Sequence, residues 1–212
     1  HNEGGGEFSV QSMGPGPQAG QPAWGDFDND GDLDLYVTRG QGSEISNLFY
    51  RNNGDGSFTL TTLGSPAQDL ARSGSCVWGD YDGDGFLDLF VANNRGGSDC
   101  LYRNNGNANT WLVVRLKGTV SSRAALGAKV RVYARVQGRM QWQLRELTGG
   151  SRCQGDLRAH FGLDAAPKAM LVRIEWPSGT VQELSNVPAN QILTVTEPPA
   201  LQALGEGRIR VL

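Results

Sequence analysis

The second half of the chain is dominated by alternating apolar and polar positions. From about residue 109, five segments alternate at the two-residue period of a strand with one buried face. They read WLVVRLKGT, LGAKVRVYARV, MQWQLREL, AMLVRIEWPSGTVQEL and ILTVTEP. Turn residues such as Ser178–Gly179 separate the alternating runs. This half therefore predicts an all-β domain, a sandwich or small barrel with one face toward solvent.

In the first half the apolar runs are shorter, and two of them follow an acidic loop. Residues 24–37 read WGDFDNDGDLDLYV and residues 78–91 read WGDYDGDGFLDLFV. The text RNNG also occurs twice, beginning at Arg51 and at Arg103. The loop copies are 54 residues apart (80 − 26) and the RNNG copies 52 apart (103 − 51). Such a period predicts one β-propeller blade per repeat.

These patterns divide the chain into three predicted parts. Residues 1–107 would hold an N-terminal stump and two blades, residues 108–198 the second β-domain, and residues 199–212 a tail. A closed propeller needs four to eight blades, so we expect either a piece of a longer propeller or blade edges covered by another element. In the tail, Arg208–Leu212 alternates polar with apolar residues. It is either a frayed end or an edge strand that pairs with an open blade edge, in its own chain or in a neighbour.

The two acidic loops predict two calcium sites. Calcium takes six to eight hard oxygen ligands, and a tightly wound loop with carboxylates at alternating positions supplies them. In the first loop the expected ligands are the side chains of Asp26, Asp28, Asp30 and Asp34 and the carbonyl of Asp32; in the second they are Asp80, Asp82, Asp84, Asp88 and the carbonyl of Phe86. One such loop already favours a divalent ion over an ordinary Asp/Gly turn, and two matching copies make the turn a remote alternative. An EF-hand is disfavoured because Val37 and Val91 stand where its twelfth-position Glu belongs.

Composition narrows the class of protein. Gly makes up 30 of 212 residues, about twice the usual share, which favours β-structure with many turns. The formal charge is −3 with no basic face, which argues against a nucleic-acid partner. The sequence contains no run of eighteen apolar residues, so it predicts no membrane-spanning helix. The chain starts without a cleavable signal, so we expect a processed or excised piece.

The three cysteines leave two interpretations open. Cys76, Cys100 and Cys153 show no CxxC spacing that would predict zinc. In an extracellular setting two of them would pair and leave one over. Alternatively, all three are small buried residues.

The chain resembles two families in succession. The D-x-D-x-D-G-x-x-D loops within residues 1–107 are similar to the FG-GAP/VCBS calcium-binding propeller repeats. Four later segments resemble the ASPIC/UnbV domain: NTWLVVRLKGT at 109–119, HFGL at 160–163, WPSG at 176–179 and VPANQILTVTEP at 187–198. The residues Arg152–Cys153–Gln154 depart from the sequence that is usual in that domain. This arrangement is that of the cartilage acidic protein group. The resemblance implies an extracellular, calcium-dependent structural, adhesive or self-assembling protein with no established catalytic activity.

Two other function classes remain as alternatives. One is a lectin-like module that binds glycans in a calcium-dependent manner. Across these interpretations, the expected partner is a protein or glycan at the surface, or a second copy of the chain. The other is an enzyme or biosynthetic accessory, although no GxSxG or HExxH motif is present. A copper site built from His1 and His160 has too few ligands.

Some single residues carry weaker expectations. Trp24 and Trp78 occupy equivalent positions before the loops, which favours packing in the blade core over stacking on a ligand. Trp142 is the best candidate for an exposed aromatic contact. Arg145 and Glu146 suggest a cross-strand ion pair or a recognition patch; a surface pair is favoured, and it contributes little to stability.

Overall fold

The fold is described here from a computed structural model. It describes residues 2–4, 7–8, 20–39, 46–61, 64–68, 72–94, 97–149, 157–199, 201–204 and 208–211. Within these ranges the chain forms strands and a single four-residue helix. None of the described helical segments has the length and apolar character that crossing a membrane requires.

The first half forms small antiparallel sheets joined by the acidic loops. Its elements are β1 (Asn2–Gly4), β2 (Glu7–Phe8), β3 (Pro22–Gly25), β4 (Asp34–Val37), β5 (Leu48–Asn52), β6 (Phe58–Leu60), α1 (Ser65–Gln68), β7 (Ser73–Gly79), β8 (Asp88–Asn93) and β9 (Cys100–Tyr102). β3-β4-β5-β6 form the first blade, β7-β8-β9 the second, and β1-β2 a separate hairpin. Each acidic loop joins the first two strands of its blade. The second blade ends at β9, whose outer edge pairs with no described strand.

The two blades pack face to face through a shared aromatic and aliphatic core. Tyr36 and Phe49 from the first blade meet Leu89 and Val91 from the second, and all four are buried. Trp78 packs against this core, with its ring centroid 5.8 Å from that of Phe49. These residues alternate along their strands with residues on the other face, as the strand period requires. The packing of neighbouring blades thus fixes where the two loops lie relative to each other.

The second half forms a two-layer sandwich. Its strands are β10 (Thr110–Lys117), β11 (Lys129–Val136), β12 (Arg139–Glu146), β13 (Arg158–Asp164), β14 (Lys168–Glu175), β15 (Val181–Pro188) and β16 (Gln191–Thr196). One sheet has the order β13-β10-β16, with β10 and β16 parallel, and the other has the order β12-β11-β14-β15. Buried side chains from both sheets, among them Leu112, Val132 and Phe161, form the common core.

The smaller sheet is buried on both faces. Along β10, Leu112 and Val114 face the sandwich core, and Trp111 and Val113 are also buried although they lie on the opposite face. An antiparallel or mixed sheet buried on both sides needs a covering layer. The acidic loops of the blades supply that layer.

The predicted fold class is confirmed: the chain is all-β, with propeller-type blades that do not close and a β-sandwich. No closed barrel forms among the described strands. In the tail, β17 (Leu201–Leu204) and β18 (Arg208–Val211) pair with each other as an antiparallel hairpin. Within the described residues, the predicted tail strand therefore exists and has a partner in its own chain, while its pairing with a blade edge stays a prediction.

Candidate metal centre

The strands on either side hold each acidic loop by its ends. β3 ends at Gly25 and β4 begins at Asp34, and these two residues are paired across the ladder. The second loop is closed in the same way by Gly79 and Asp88. Because both ends of a loop are fixed in one ladder, the eight residues between them must turn tightly inward. The alternating carboxylates are thereby directed toward one region.

In the first loop, three of the predicted carboxylates converge. Asp26, Asp28 and Asp34 each place one carboxylate oxygen within 4.8 Å of the others. Asp34 is fully buried and accepts hydrogen bonds from the amides of Phe27 (3.2 Å) and Asn52 (2.8 Å). The loop is therefore held by its own backbone with its acidic groups already clustered.

The remaining two predicted ligands of this loop face other partners. Asp30 accepts a hydrogen bond from Arg51 at 3.2 Å, and its other oxygen accepts one from the amide of Asp32. The carboxylate of Asp32 accepts a hydrogen bond from the Gln137 side chain at 2.6 Å. This geometry leaves the backbone carbonyl of Asp32 as its predicted calcium ligand.

The second loop repeats this arrangement. Asp80, Asp82 and Asp88 converge within the same 4.8 Å limit. Asp84 instead accepts the amide of Phe86 at 3.0 Å. Asp88 accepts hydrogen bonds from the amides of Tyr81 (3.1 Å) and Asn104 (2.7 Å), which are the counterparts of Phe27 and Asn52. The carbonyl of Phe86 stays a predicted ligand.

The clustering disfavours ionisation of the acidic groups. Burial raises the pKa of Asp26 well above its usual range, and the neighbouring Asp30 and Asp34 raise it further. Burial likewise raises the pKa of Asp34 to about 7. In the second loop, burial raises the pKa of Asp80 and of Asp88. Carboxylates in this state need a positive partner to remain charged at neutral pH.

The residues fit a bound calcium ion. The Oδ1 atom of Asp26 is buried and has no hydrogen-bond partner among the described residues. Buried polar atoms are normally satisfied, so this oxygen indicates a missing ligand. All the converging groups are hard oxygen donors, the type that calcium prefers. A bound calcium ion would supply the positive charge that this cluster lacks.

Two arginines support the loops, and sequence reasoning assigned them no role. The Nε atom of Arg51 donates to Asp28 at 2.7 Å, and the Nε atom of Arg103 donates to Asp82 at the same distance. Their second nitrogens reach the next alternate carboxylate of each loop. Both belong to the repeated RNNG text, 25 residues after Asp26 (51 − 26) and 23 after Asp80 (103 − 80). This near-constant spacing was the signal available in the sequence.

The asparagines that follow these arginines close each loop in the same way. Asn52 donates its side-chain amide to the carbonyl of Leu33 at 3.1 Å, and Asn104 does the same for Leu87. Asn104 also donates to the carbonyl of Phe27 at 2.7 Å, which connects the second blade to the first loop. The RNNG repeat therefore braces the acidic loop from the neighbouring strand.

The loops also form the contact with the sandwich. The amide of Gly162 donates to Asp26 at 3.1 Å, and the amide of Asp164 donates to the carbonyl of Asn29 at 2.8 Å. For the second loop, His160 Nε2 lies 3.0 Å from the carbonyl of Gly85. One strand, β13, thus contacts both acidic loops. The acidic clusters and the contact between blades and sandwich therefore lie on the same two loops, and Asp26 belongs to both.

The sixth-position glycines serve both the turn and this contact. Gly31 and Gly85 have φ angles of +95° and +87°, a region that favours glycine. A methyl group on Gly31 would overlap Val136, and one on Gly85 would overlap the indole of Trp111. The turn that winds the loop therefore also allows the sandwich to lie directly on it.

Two expectations for single residues need correction. Trp24 is 52% exposed rather than buried in a blade core, whereas Trp78 does pack in the core between the blades as expected. Arg145 and Glu146 do not form a surface ion pair. Neighbouring residues of a strand face opposite sides, so Glu146 is exposed while Arg145 packs its guanidinium 5.3 Å from the centre of the Phe161 ring. Trp142 is exposed, as expected.

The cysteine question stays open. Cys76 is buried in the core between the blades, and Cys100 lies at the start of β9. Cys153, together with His1 and the departure at 152–154, lies outside the described residues. His160 lies in β13, as its strand-like surroundings predicted.

Comparison with known proteins gives the class of this chain. Residues 38–91 match the family model described as FG-GAP-like repeat, and residues 118–202 match the model described as ASPIC and UnbV. The chain therefore combines an FG-GAP-like repeat with an ASPIC/UnbV domain, as the resemblance in the sequence indicated.

The relatives include cartilage acidic protein 1 from three vertebrates. The Mus musculus protein is 30% identical over 185 residues, which cover 82% of this chain and 28% of the relative. The Homo sapiens protein is 30% identical, with 82% and 27% covered, and the Xenopus tropicalis protein is 28% identical, with 82% and 28% covered. The chain thus spans less than a third of the length of these relatives.

Proposed function

We propose that this chain is part of an extracellular structural or adhesive protein in which two calcium ions join the propeller blades to the ASPIC/UnbV sandwich. The observation that carries the proposal is the double role of the loops. Asp26 belongs to the acidic cluster and also accepts the amide of Gly162 in the sandwich. Calcium binding would keep Asp26 charged and the loop wound, so its binding free energy becomes stability of the contact.

The extracellular assignment rests on two observations. Calcium sites of this type bind in the range of about 10⁻⁴–10⁻³ M in extracellular modules, and only outside the cell is calcium abundant enough to fill them. The relatives carry the name of a cartilage protein. Adhesion or scaffolding through a surface partner, or through a second copy, is the role we infer.

A non-catalytic role is supported by the environment of His160, the single histidine among the described residues. Its Nε2 is engaged by the carbonyl of Gly85 at 3.0 Å, and burial lowers its pKa to about 4. Because a general base works best with a pKa near the operating pH, a histidine with so low a pKa is a weak proton acceptor at neutral pH. We therefore propose that the acidic loops act as structural calcium sites and not as an active site.

Calcium titration tests the proposal. Isothermal titration calorimetry should give two calcium ions per chain, falling to one in Asp26→Asn and to one in Asp80→Asn. The control is Asp55→Asn, an exposed aspartate in the turn between β5 and β6, which should keep both ions. After addition of excess chelator, hydrogen exchange at the amides of Gly162 and Asp164 should increase strongly, because their acceptors lie on the first loop. Unchanged exchange at these amides would show that calcium does not join the two parts.

A further inference from the structure

A groove of about 850 Å³ lies beside the carboxyl-terminal half of β10, in the smaller sheet of the sandwich. All the charged side chains in the described part of its lining are cations: Arg115, Lys117, Arg123 and Arg158. The other lining residues are apolar apart from Thr194. This basic groove combines positive charge with one hydroxyl group.

The register of the sheet brings the cations together. Arg115 and Lys117 are two positions apart on β10 and face away from the sandwich core, to which Leu116 belongs. Arg115 lies directly opposite Arg158 of β13 in the antiparallel ladder and next to Thr194 of β16 in the parallel one. Like charges directly opposite each other destabilise a sheet, so this arrangement favours a bound anion.

The loop after β10 places Arg123 beside these residues. The carbonyl of Arg123 accepts a hydrogen bond from the amide of Gly118 at 3.2 Å. The buried carboxylate of Glu197 fixes the same loop, because it accepts hydrogen bonds from three successive amides, those of Thr119, Val120 and Ser121. The loop is therefore ordered before any ligand binds, which lowers the entropy that binding must remove.

Three of the four cations are available to a ligand. The side chains of Arg115, Lys117 and Arg123 are exposed and form no hydrogen bond or ion pair with the described residues. Arg158 differs, since it donates to the carbonyl of Asp80 at 2.6 Å and lies 4.0 Å from the carboxylate of that residue. The three unpaired side chains therefore supply the positive charge that a ligand meets.

This groove is a local exception to the expected absence of a basic face. Its cations lie up to 43 positions apart in the chain (158 − 115) and meet only through strand pairing, so the sequence did not indicate it. Two calcium ions in the acidic loops would also change the formal charge from −3 to +1 (−3 + 4). A chain with that charge repels a polyanion little at long range.

Charge spacing and lining favour one kind of polyanion. An exposed charge contributes little by itself, so a ligand must meet several of them at once, as a polymer with repeated charges does. Arg115 and Lys117 are only about 7 Å apart along β10, so the charges of the polymer must be closely spaced. No aromatic side chain belongs to the described lining, whereas single-stranded nucleic acids are held largely by stacking on aromatic side chains.

We propose that the basic groove binds a sulfated polysaccharide. Sulfate groups give a glycan more charges per sugar ring than its carboxylates alone can. They would accept hydrogen bonds from Arg115, Lys117 and Arg123, and the exposed hydroxyl of Thr194 would donate one more. The proposal names a partner for the extracellular surface proposed above, and it rests on that function only for the location of the chain and the charge of the two calcium ions.

Calorimetry with the calcium-saturated chain tests the proposal. The probes are a heparin oligosaccharide, the same oligosaccharide after chemical removal of its sulfates, and single- and double-stranded DNA. We expect heparin to bind about tenfold or more tightly than each of the others, since it presents closely spaced sulfates on a glycan chain. Added salt should weaken this binding because it screens exposed charges.

A pair of double variants locates the binding. Arg115→Gln combined with Lys117→Gln should weaken heparin binding about tenfold or more, because two charged donors are removed. The matched control combines Arg135→Gln with Arg139→Gln, two exposed arginines of the other sheet, and changes the total charge equally. This control should bind heparin within about twofold of the unmodified chain, since its substitutions lie outside the groove.

Each other result contradicts a stated part. Equal losses in the two double variants would show that only total charge matters, and equal affinity for the desulfated form would show that sulfate is not recognised. Tighter binding of DNA would make the groove a nucleic-acid site. Binding of two calcium ions without heparin would overturn the inference and leave the proposed function intact, whereas heparin binding without calcium would overturn the proposed function alone. The comparison of probes needs no variant, so it decides the matter even if a double variant does not fold.

Discussion

Hydrogen bonds within the chain already order the carboxylates of the two acidic loops. Asp34 and Asp88 each receive two backbone amides, and Arg51 and Arg103 hold the alternate carboxylates from a neighbouring strand. These contacts reduce the conformational entropy of the loops, so binding of a cation would have less of it to remove. The burial that the same packing imposes raises the pKa of Asp34 to about 7, so without a cation this carboxyl is protonated in acid and partly protonated at neutral pH.

This proton makes the stability of the calcium-free chain depend on pH. The folded-state pKa of Asp34 is raised from 3.8 to about 7, so its contribution to stability is fully present below pH 3.8 and is lost as the pH rises through 7. The contribution of this group to the free energy of unfolding in excess chelator should fall between pH 4 and pH 7, by up to about 1.4 kcal/mol per pH unit. Denaturant titrations at several pH values measure the free energy of unfolding and its dependence on pH.

The comparison with Asp34→Asn isolates this effect. His160 acts in the opposite direction, because its pKa is lowered to about 4 and its contribution is lost as the pH falls below 6.5. Both chains contain His160, so its contribution cancels, and the difference in unfolding free energy between them should show the slope that Asp34 gives, directly and through the rise it causes in the pKa of Asp26. Saturating calcium should remove that slope. A difference independent of pH would contradict the prediction.

At the level of strands and loops, β10 and β13 form the surface on which both acidic loops lie. Trp111 of β10 covers Gly85, while Gly162 and Asp164 of β13 donate their amides to the first loop. The smaller sheet of the sandwich is thereby buried on both sides. A change at the sixth position of a loop must therefore affect packing as well as the turn.

Two glycine substitutions separate these effects. Gly85→Ala and Gly83→Ala both place a side chain at a positive φ, +87° and +79°. Only at Gly85 does the methyl group overlap Trp111, whereas nothing lies within 4 Å of it at Gly83. In saturating calcium we expect Gly85→Ala to lose about 1–3 kcal/mol more unfolding free energy than Gly83→Ala. Equal losses would show that the indole moves away at no cost.

The predicted boundaries at 107/108 and 198/199 remain predictions. β9 ends at Tyr102 and β10 begins at Thr110, so the change from blade to sandwich falls between them. After Asn109, apolar and polar residues alternate regularly enough to predict strands. Nothing in that pattern indicated that β10 and β16 are parallel neighbours. Pairing of strands so distant in the chain depends on how the whole sandwich closes.

For the chain as a whole, unpaired strand edges are the feature that favours association with another chain. The outer edge of β9 pairs with no described strand, and the hairpin of β17 and β18 has free edges among the described strands. Edges of this kind recruit a strand from another chain. Self-association through the tail therefore stays our prediction for the partner of this chain.

Deletion of residues 206–212 tests it. In calcium, light scattering and sedimentation should detect assemblies larger than one chain, and the deletion should reduce them to monomers because it removes β18. Excess chelator should also dissociate them by loosening the blades that supply the edges. Unchanged sedimentation of the shortened chain would exclude strand addition by the tail.

Much of the candidate site was predictable from the amino-acid sequence because its acidic residues lie close together along the chain. Asp26, Asp28 and Asp34 lie within nine residues, and a loop of that length can reach only one ion, so spacing alone predicted the cluster. The same holds for strands, whose period of two is written in neighbouring residues. Locality is also why the repeat predicted blades.

The tertiary structure decided everything that depends on distant residues. Arg145 was expected in a surface ion pair, yet its guanidinium lies against the ring of Phe161, because strand alternation does not tell which face another part of the chain covers. Trp24 and Trp78 occupy equivalent positions in the repeat, but only Trp78 has a second blade packed on it. The contact of Gly162 with Asp26 joins residues 136 positions apart, and it forms only when blades and sandwich pack together. Local spacing therefore specified the loops and strands, whereas long-range packing specified their surroundings.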